Sequence, residues 1–428
     1  MKTIHYILCF LLFAMPLTLG AQTEHPALGT KVSSADGKFS ITLVNKKQNF
    51  SRADAQTLDK DIRSPKSVNI HPNGMKYYVN SLEGGKTVVY ETGSNDKLKV
   101  IEHDFTEADS LLWSKPSGLF PFTHYTRKLN TFRGKPVESA FSHEGRYLWV
   151  PYYRRSYDIN AQDPSAVAVI DTRTDSIVRL METGPLPKMV AVSGDNRYVA
   201  ITHWGNNTVG IINITGPNPE DWFYEDCVTV QRKLNLNYSL TTSVNRDVDS
   251  GLCLRGTVFT PDGRYLLVGC MGGNGGIAVL DLSDFSYLGQ VYGMKTNLRH
   301  IVIRNGYIYL SINKEGCVQR LPMETLYEAI GQMEHGKVTV KDWENCKVAP
   351  GARTIDITPD GRYVVAACNS GSRLVVVDTE SFTEIARIKA DSYPVGLDIS
   401  KDGRYVYTTS QGRDGMGGNC VDIYLMEY

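Results

Sequence analysis

One pattern of apolar and polar positions returns seven times along the chain. A strand of alternating character meets a tight turn, and a run rich in Tyr, Val, Leu and Ile follows. The copies begin at Ser64 (SPKSVNIHPNGMKYYVNS), Lys135 (KPVESAFSHEGRYLWVPY), Leu186, Cys253, Asn297, Gly351 and Tyr393. Period-two alternation on both sides of a turn residue predicts an antiparallel hairpin. The turns carry Gly74, Gly145, Asn196, Gly263, Gly306, Gly361 and Gly403. Gly, and to a lesser degree Asn, tolerates the positive φ that such a turn demands.

A third strand follows most hairpins, as in KTVVYET from Lys86, SAVAVIDT from Ser165 and RLVVVDT from Arg373. A fourth is often visible, as in EIARIKA from Glu384. Four strands per unit, with successive turns 42 to 71 residues apart, describe propeller blades. The longer spacings hold insertions at 102–135, 215–252 and 322–350. Within them, Thr106 is placed to cap a short helix, and PMETLYEAIGQMEHG from Pro322 has helical periodicity. Such insertions serve either as lids over the ring or as outer packing. The seventh copy reaches the C-terminus after its third strand, so its outer strand must come from elsewhere. KFSITLVN from Lys38 is assigned that role, which removes an exposed edge. The expected fold is all-β: a seven-bladed β-propeller of four-stranded antiparallel blades over 38–428, closed by a strand near 38–45, with 22–37 as a linker.

The segment PDGRYVVAACNSGSRLVVVDTESFTEIARI from Pro359 resembles the YVTN β-propeller repeat, whose typical form is P-D-G-K-x-x-Y-V-T-N…V-x-V-I-D-T. The fifth copy departs from it, with Arg304-Asn305-Gly306 in place of Pro-Asp-Gly. The resemblance spans about 64–428. It implies seven blades, and many such proteins are exported or surface-located in bacteria. It also implies that the inter-blade loops and the loops between second and third strands share one face, opposite the Asp-Gly turns. Ligands of this architecture usually sit over the central channel on that face. Fold alone does not assign function.

Lys66, Val137, Lys188, Arg255, Arg299, Arg353 and Val395 stand at the entry to the innermost strand in the seven copies. Five are cationic, and this geometry rings them about the channel mouth. Such a ring attracts carboxylate or phosphate, for which Arg offers a planar fork. The competing reading pairs them with Glu138, Glu83, Glu315 and Asp414. Tyr152, Tyr153, Arg154, His203, Trp204, Asn369 and the Gln411–Asp414 segment fall on the neighbouring loops. Aromatic residues interleaved with Arg suit ligand recognition. His300 follows Arg299 in NLRHIVI and resembles the P-R-H start of the strand in lactonase-type propellers, with Leu298 replacing the proline. In that alternative His300 is a general base, and Arg299 or Arg353 stabilises developing negative charge.

Composition narrows the rest. Lys+Arg and Asp+Glu both number 46, so no global charge favours nucleic acid. Met1-Lys2-Thr3, the apolar run Ile7–Leu19 and Gly20-Ala21 form a signal peptide over 1–21, cleaved near Ala21. The apolar run is too short for a comfortable span, and no later stretch is a transmembrane segment. The expected product is exported, periplasmic or secreted, and monomeric. Seven cysteines remain after Cys9. Export permits disulfides, but an odd count leaves at least one thiol unpaired. No CxxC or His cluster supports a metal, and no cofactor is expected. NRDVDSG from Asn245 departs from a calcium loop and is read as a surface turn.

The leading reading is a non-enzymatic binding or scaffold protein. Its funnel would take an anionic small molecule, an acidic glycan or a protein partner. The alternatives are a lactonase- or lyase-type enzyme and a structural envelope protein.

Overall fold

A computed structural model describes residues 25–50, 53–249, 251–412 and 417–428. The proposed signal segment and the pair Arg413 and Asp414 lie outside the described residues.

Seven antiparallel blades form a seven-bladed β-propeller. The first is representative: Pro65–Ile70 innermost, then Lys76–Ser81, Lys86–Glu91 and Lys97–Glu102. All seven expected turn residues have positive φ, from 55° at Asn196 to 98° at Gly145. The fifth residue of six innermost strands, from Asn69 through Asp356 to Asp398, is half-buried, as is Ala140 in the second blade. That is the exposure expected of side chains facing a narrow axial channel. The faces between neighbouring blades are filled by aliphatic and aromatic side chains. Leu267 and Val279 of the fourth blade, for example, pack with Leu310 and Leu321 of the fifth. Each blade thus buries both faces against its neighbours.

The ring closes as the sequence predicts. Ser40–Gln48 pairs antiparallel with the last strand, Cys420–Glu427, from Ser40 opposite Glu427 to Gln48 opposite Cys420. The expected linker 22–37 is not wholly irregular. Lys31–Ser33 folds back on Ser40–Thr42 as a fifth strand, because the turn at Gly37 takes φ 71°. Beneath this closure lies a buried charged cluster. The Lys46 ammonium is 2.7 Å from Asp391 Oδ2 and 3.6 Å from Asp422 Oδ1. It also donates to the Pro26 carbonyl at 3.1 Å. His25 Nδ1 lies 2.5 Å from the other Asp391 oxygen. Both carboxylates are fully buried.

The insertions also carry blade strands. Phe223–Thr229 is the outer strand of the third blade, and Glu344–Lys347 that of the fifth. Lys337–Thr339 adds a parallel strand to the fourth. Thr106 caps a 3₁₀ turn over Glu107–Leu112, and Met323–Gly331 is an α-helix. The seven cysteines of the described residues are all free, and all but Cys227 are buried. They act as small apolar core residues.

Candidate functional site

The second residues of five innermost strands emerge at one end of the channel. Lys66, Lys188, Arg255, Arg299 and Arg353 all line a single cavity of about 550 Å³ there. Val137 lines it too, with Tyr153, Arg154, Trp204, Met271, Tyr393 and Gln411 from neighbouring loops. The second insertion contributes a wall through Ser243, Val244, Arg246 and Asp247.

The run WVPYYRR, Trp149–Arg155, is interrupted by a bulge in the second blade. Tyr152 pairs with Pro136 and Arg155 with Gly134, so three steps on one strand oppose two on the other. One extra residue re-aims the intervening side chains. Tyr153 and Arg154 line the cavity. Tyr152 and Arg155 turn outward instead. The Tyr152 hydroxyl bonds His103 Nδ1 at 2.9 Å. Arg155 lies over the rings of Trp113, Phe122 and Phe132.

Two other expected site residues are also in the wall rather than the cavity. His203 is fully buried. Its Nε2 accepts from the Gly184 amide at 3.1 Å, and Nδ1 lies 2.8 Å from Thr208 Oγ1. Burial pushes its pKa down to about 3. Asn369 is buried and accepts from Asn313 Nδ2 at 3.3 Å. His300 lies outside the cavity lining. Its Nδ1 is 2.9 Å from the Ile355 carbonyl, and burial lowers its pKa.

The ring cations are short of partners. Lys66 Nζ is 3.4 Å from Glu138 Oε1 and has no hydrogen bond. Lys188 Nζ lies over two aromatic faces, Tyr153 at 4.2 Å and Trp204 at 4.9 Å. The Arg255 guanidinium is 4.8 Å from the Trp204 ring centre. Neither Arg255 Nε nor Arg299 Nε has a hydrogen-bond partner among the described residues. Of the acids expected to neutralise the ring, Glu138 does stand beside Lys66, whereas Glu83 pairs with Lys135 at 2.7 Å and Glu315 with Lys295 at 2.8 Å; Asp414 lies outside the described residues.

The energetic consequence is direct. Burial, reinforced by neighbouring Arg255, holds Lys188 well below the usual lysine pKa. Burial and then Arg353 do the same to Lys66. Burial and neighbouring arginines bring Arg255 down to about 10 and Arg299 down to about 9. Guanidinium groups stay charged near neutrality, so this depression is a standing cost of the ring. Burial alone would raise the Asp247 carboxyl, but Lys188, Arg255, Arg299 and Arg353 together bring it below its ordinary value.

Arg246 fixes the insertion that carries Asp247. It donates to the carbonyls of Asn160 at 2.6 Å, Ala161 at 2.8 Å and Gly205 at 2.8 Å. The Trp204 indole in turn donates to the Arg246 carbonyl at 3.1 Å. Asn245 Oδ1 accepts from the Asp247 amide at 3.0 Å, the turn geometry expected for this loop. The insertion's place in the wall was not legible, because its residues follow neither a strand nor a helix period.

No family model matches the chain. Over 208 residues it is 26% identical to Antigen Lp49 of Leptospira interrogans serogroup Icterohaemorrhagiae serovar copenhageni (strain Fiocruz L1-130). That alignment takes in 44% of this chain and 41% of the Leptospira protein, so the chain matches about two-fifths of that relative's length. Among solved structures it is similar to hydrazine synthase of Kuenenia stuttgartiensis, with TM-score 0.57 and 12% identity. The superposition covers 85% of this chain and 96% of the other, and it supports the propeller fold alone.

Proposed function

We propose that the protein is an exported, YVTN-like propeller that binds an anionic ligand at the cationic mouth of its channel. One observation carries this reading: five cations share a cavity in which Lys188, Arg255, Arg299 and Arg353 have no carboxylate within ion-pair distance among the described residues. A fold that needed these residues only for packing gains nothing from charge there, since unpaired buried charge is destabilising. An oxyanion supplies both the missing acceptors and the missing counter-charge. The cavity volume is in the range of small-molecule sites. Export is supported by the basic start and the apolar run to Leu19. No helix among the described residues is long and apolar enough to cross a membrane.

The test is a thermal-shift screen of the chain without residues 1–21 against organic acids, uronic-acid oligosaccharides and phosphates. A ligand that binds only the native state raises the melting temperature. The expected hit is an anion whose effect is lost in Arg299→Ala and Arg353→Ala. A hit whose effect survives both substitutions overturns the funnel site.

A further inference from the structure

We infer that the ligand of the funnel is a compact polyanion carrying three or more negative charges, an oligophosphate or polycarboxylate, and that Asp247 is the counter-charge it competes with. This inference rests on the anion-site reading above and adds a charge number to it.

The number comes from the charges at the ring. Its five cations face two carboxylates, Glu138 near Lys66 and Asp247 on the insertion. With both lysines protonated, the form a bound anion favours, five less two leaves three positive charges for the ligand to compensate. Arg154 and Arg246, also in the lining, donate to backbone carbonyls, which satisfy N–H groups without cancelling charge, so three is the smallest excess. A monoanion would leave two charges in the same buried space, where their mutual repulsion is only weakly screened. The donor supply agrees. Arg255, Arg299 and Arg353 each present a planar fork able to hold two oxygens of one oxyanion group. Lys66 and Lys188 add point charges between them.

Asp247 is exposed and has no ion pair within 4 Å among the described residues. It nevertheless feels four of the five ring cations. Arg246, anchored to three carbonyls from two segments, keeps the adjoining Asp247 over the cavity. A tethered carboxylate that faces the ring without bonding to it weakens every incoming anion by like-charge repulsion. That repulsion grows with the charge of the ligand, so Asp247 subtracts from the gain each added charge brings and competes hardest with a polyanion.

The experiment measures two charge ladders by titration calorimetry at fixed ionic strength: orthophosphate, pyrophosphate and tripolyphosphate; then acetate, malonate and citrate. Each added charge is expected to tighten binding by about tenfold. The steeper ladder identifies the oxyanion. Asp247→Asn, a neutral change on an exposed loop, is expected to tighten the trianion by about three- to tenfold. Arg299→Ala and Arg353→Ala are expected to weaken it by about ten- to a hundredfold. The exposed pair-forming Arg173 provides the control, and Arg173→Ala should change nothing. Equal affinity along both ladders overturns the polyanion inference and leaves a single-anion site standing. No binding by any of the six, in protein that melts cooperatively, overturns the inference and the funnel reading together. Trianion binding unmoved by Asp247→Asn overturns the role given to Asp247.

Discussion

Two buried charge clusters in this propeller use the same residue types to opposite effect. At the ring closure, one lysine is held between two fully buried aspartates, 2.7 Å from Asp391 and 3.6 Å from Asp422. Burial and the neighbouring Asp391 push Asp422 well above the ordinary carboxylate pKa. Asp391 stays low: burial opposes its charge, but His25 and Lys46 outweigh that effect. The closure therefore sets its ammonium against two carboxyl groups, of which Asp391 is held toward its charged form and Asp422 toward its neutral one. At the channel mouth, five cations face two carboxylates, and Lys66 Nζ, Arg255 Nε and Arg299 Nε are buried without an acceptor among the described residues. Buried charge that is matched within the chain stabilises a junction. Buried charge left unmatched leaves a site that a ligand can complete.

The largest effects should come from unbalancing the closure. Lys46→Ala removes the cation between the aspartates and should cost about 3–5 kcal/mol. Asp391→Asn strands Lys46 and should cost a similar amount. Asp422→Asn replaces the carboxyl that burial holds toward its neutral form by an amide that can still accept from the Asp391 N–H, now 3.1 Å away. It should cost less than about 1 kcal/mol. Urea unfolding of the three variants checks this, and equal losses for the two aspartates would break the unequal division of charge between them.

The mouth should respond with the opposite sign. Arg299→Met keeps much of the stem and removes one repelled charge. Without ligand it should stabilise the protein by about 1–2 kcal/mol, while abolishing most of its anion affinity. Destabilisation of the ligand-free protein would mean that the ring is structurally satisfied and would remove the contrast between the two regions.

The repeat made the fold legible. The turn glycines and the alternating strands predicted seven blades, and KFSITLVN predicted the closure. The five ring cations were legible for the same reason: equivalent positions in a repeat share one place in space. Tyr152, His203 and Asn369 were not, because a loop position does not determine which side of the wall a side chain takes. The bulge between Tyr152 and Arg155 decides that for the second blade, and hydrogen bonding into the sheet decides it for His203. Arg246 and Asp247 were missed as cavity residues because a long insertion carries no period from which to place them.

The smallest effect is the proton count of binding, and it is the finest test of the contrast. Burial and neighbouring arginines hold Lys188 and Lys66 well below the usual lysine pKa in the empty ring. A bound anion favours their charged forms and must raise both values. Between the depressed pKa and the raised one, the complex binds more protons than the free protein. Binding in that window therefore takes up protons, and affinity falls as pH rises through it. The Lys46 closure behaves differently, because Asp422 and Asp391 already raise its pKa and no ligand reaches it. Calorimetry in buffers of different ionisation enthalpy should show uptake of up to about two protons at mildly alkaline pH. Lys188→Arg should reduce that uptake while preserving binding, since a guanidinium stays charged throughout. Anion binding with no proton uptake at any alkaline pH would show that both lysines are already fully charged in the empty ring, and that its positive charge is sustained without help from the ligand.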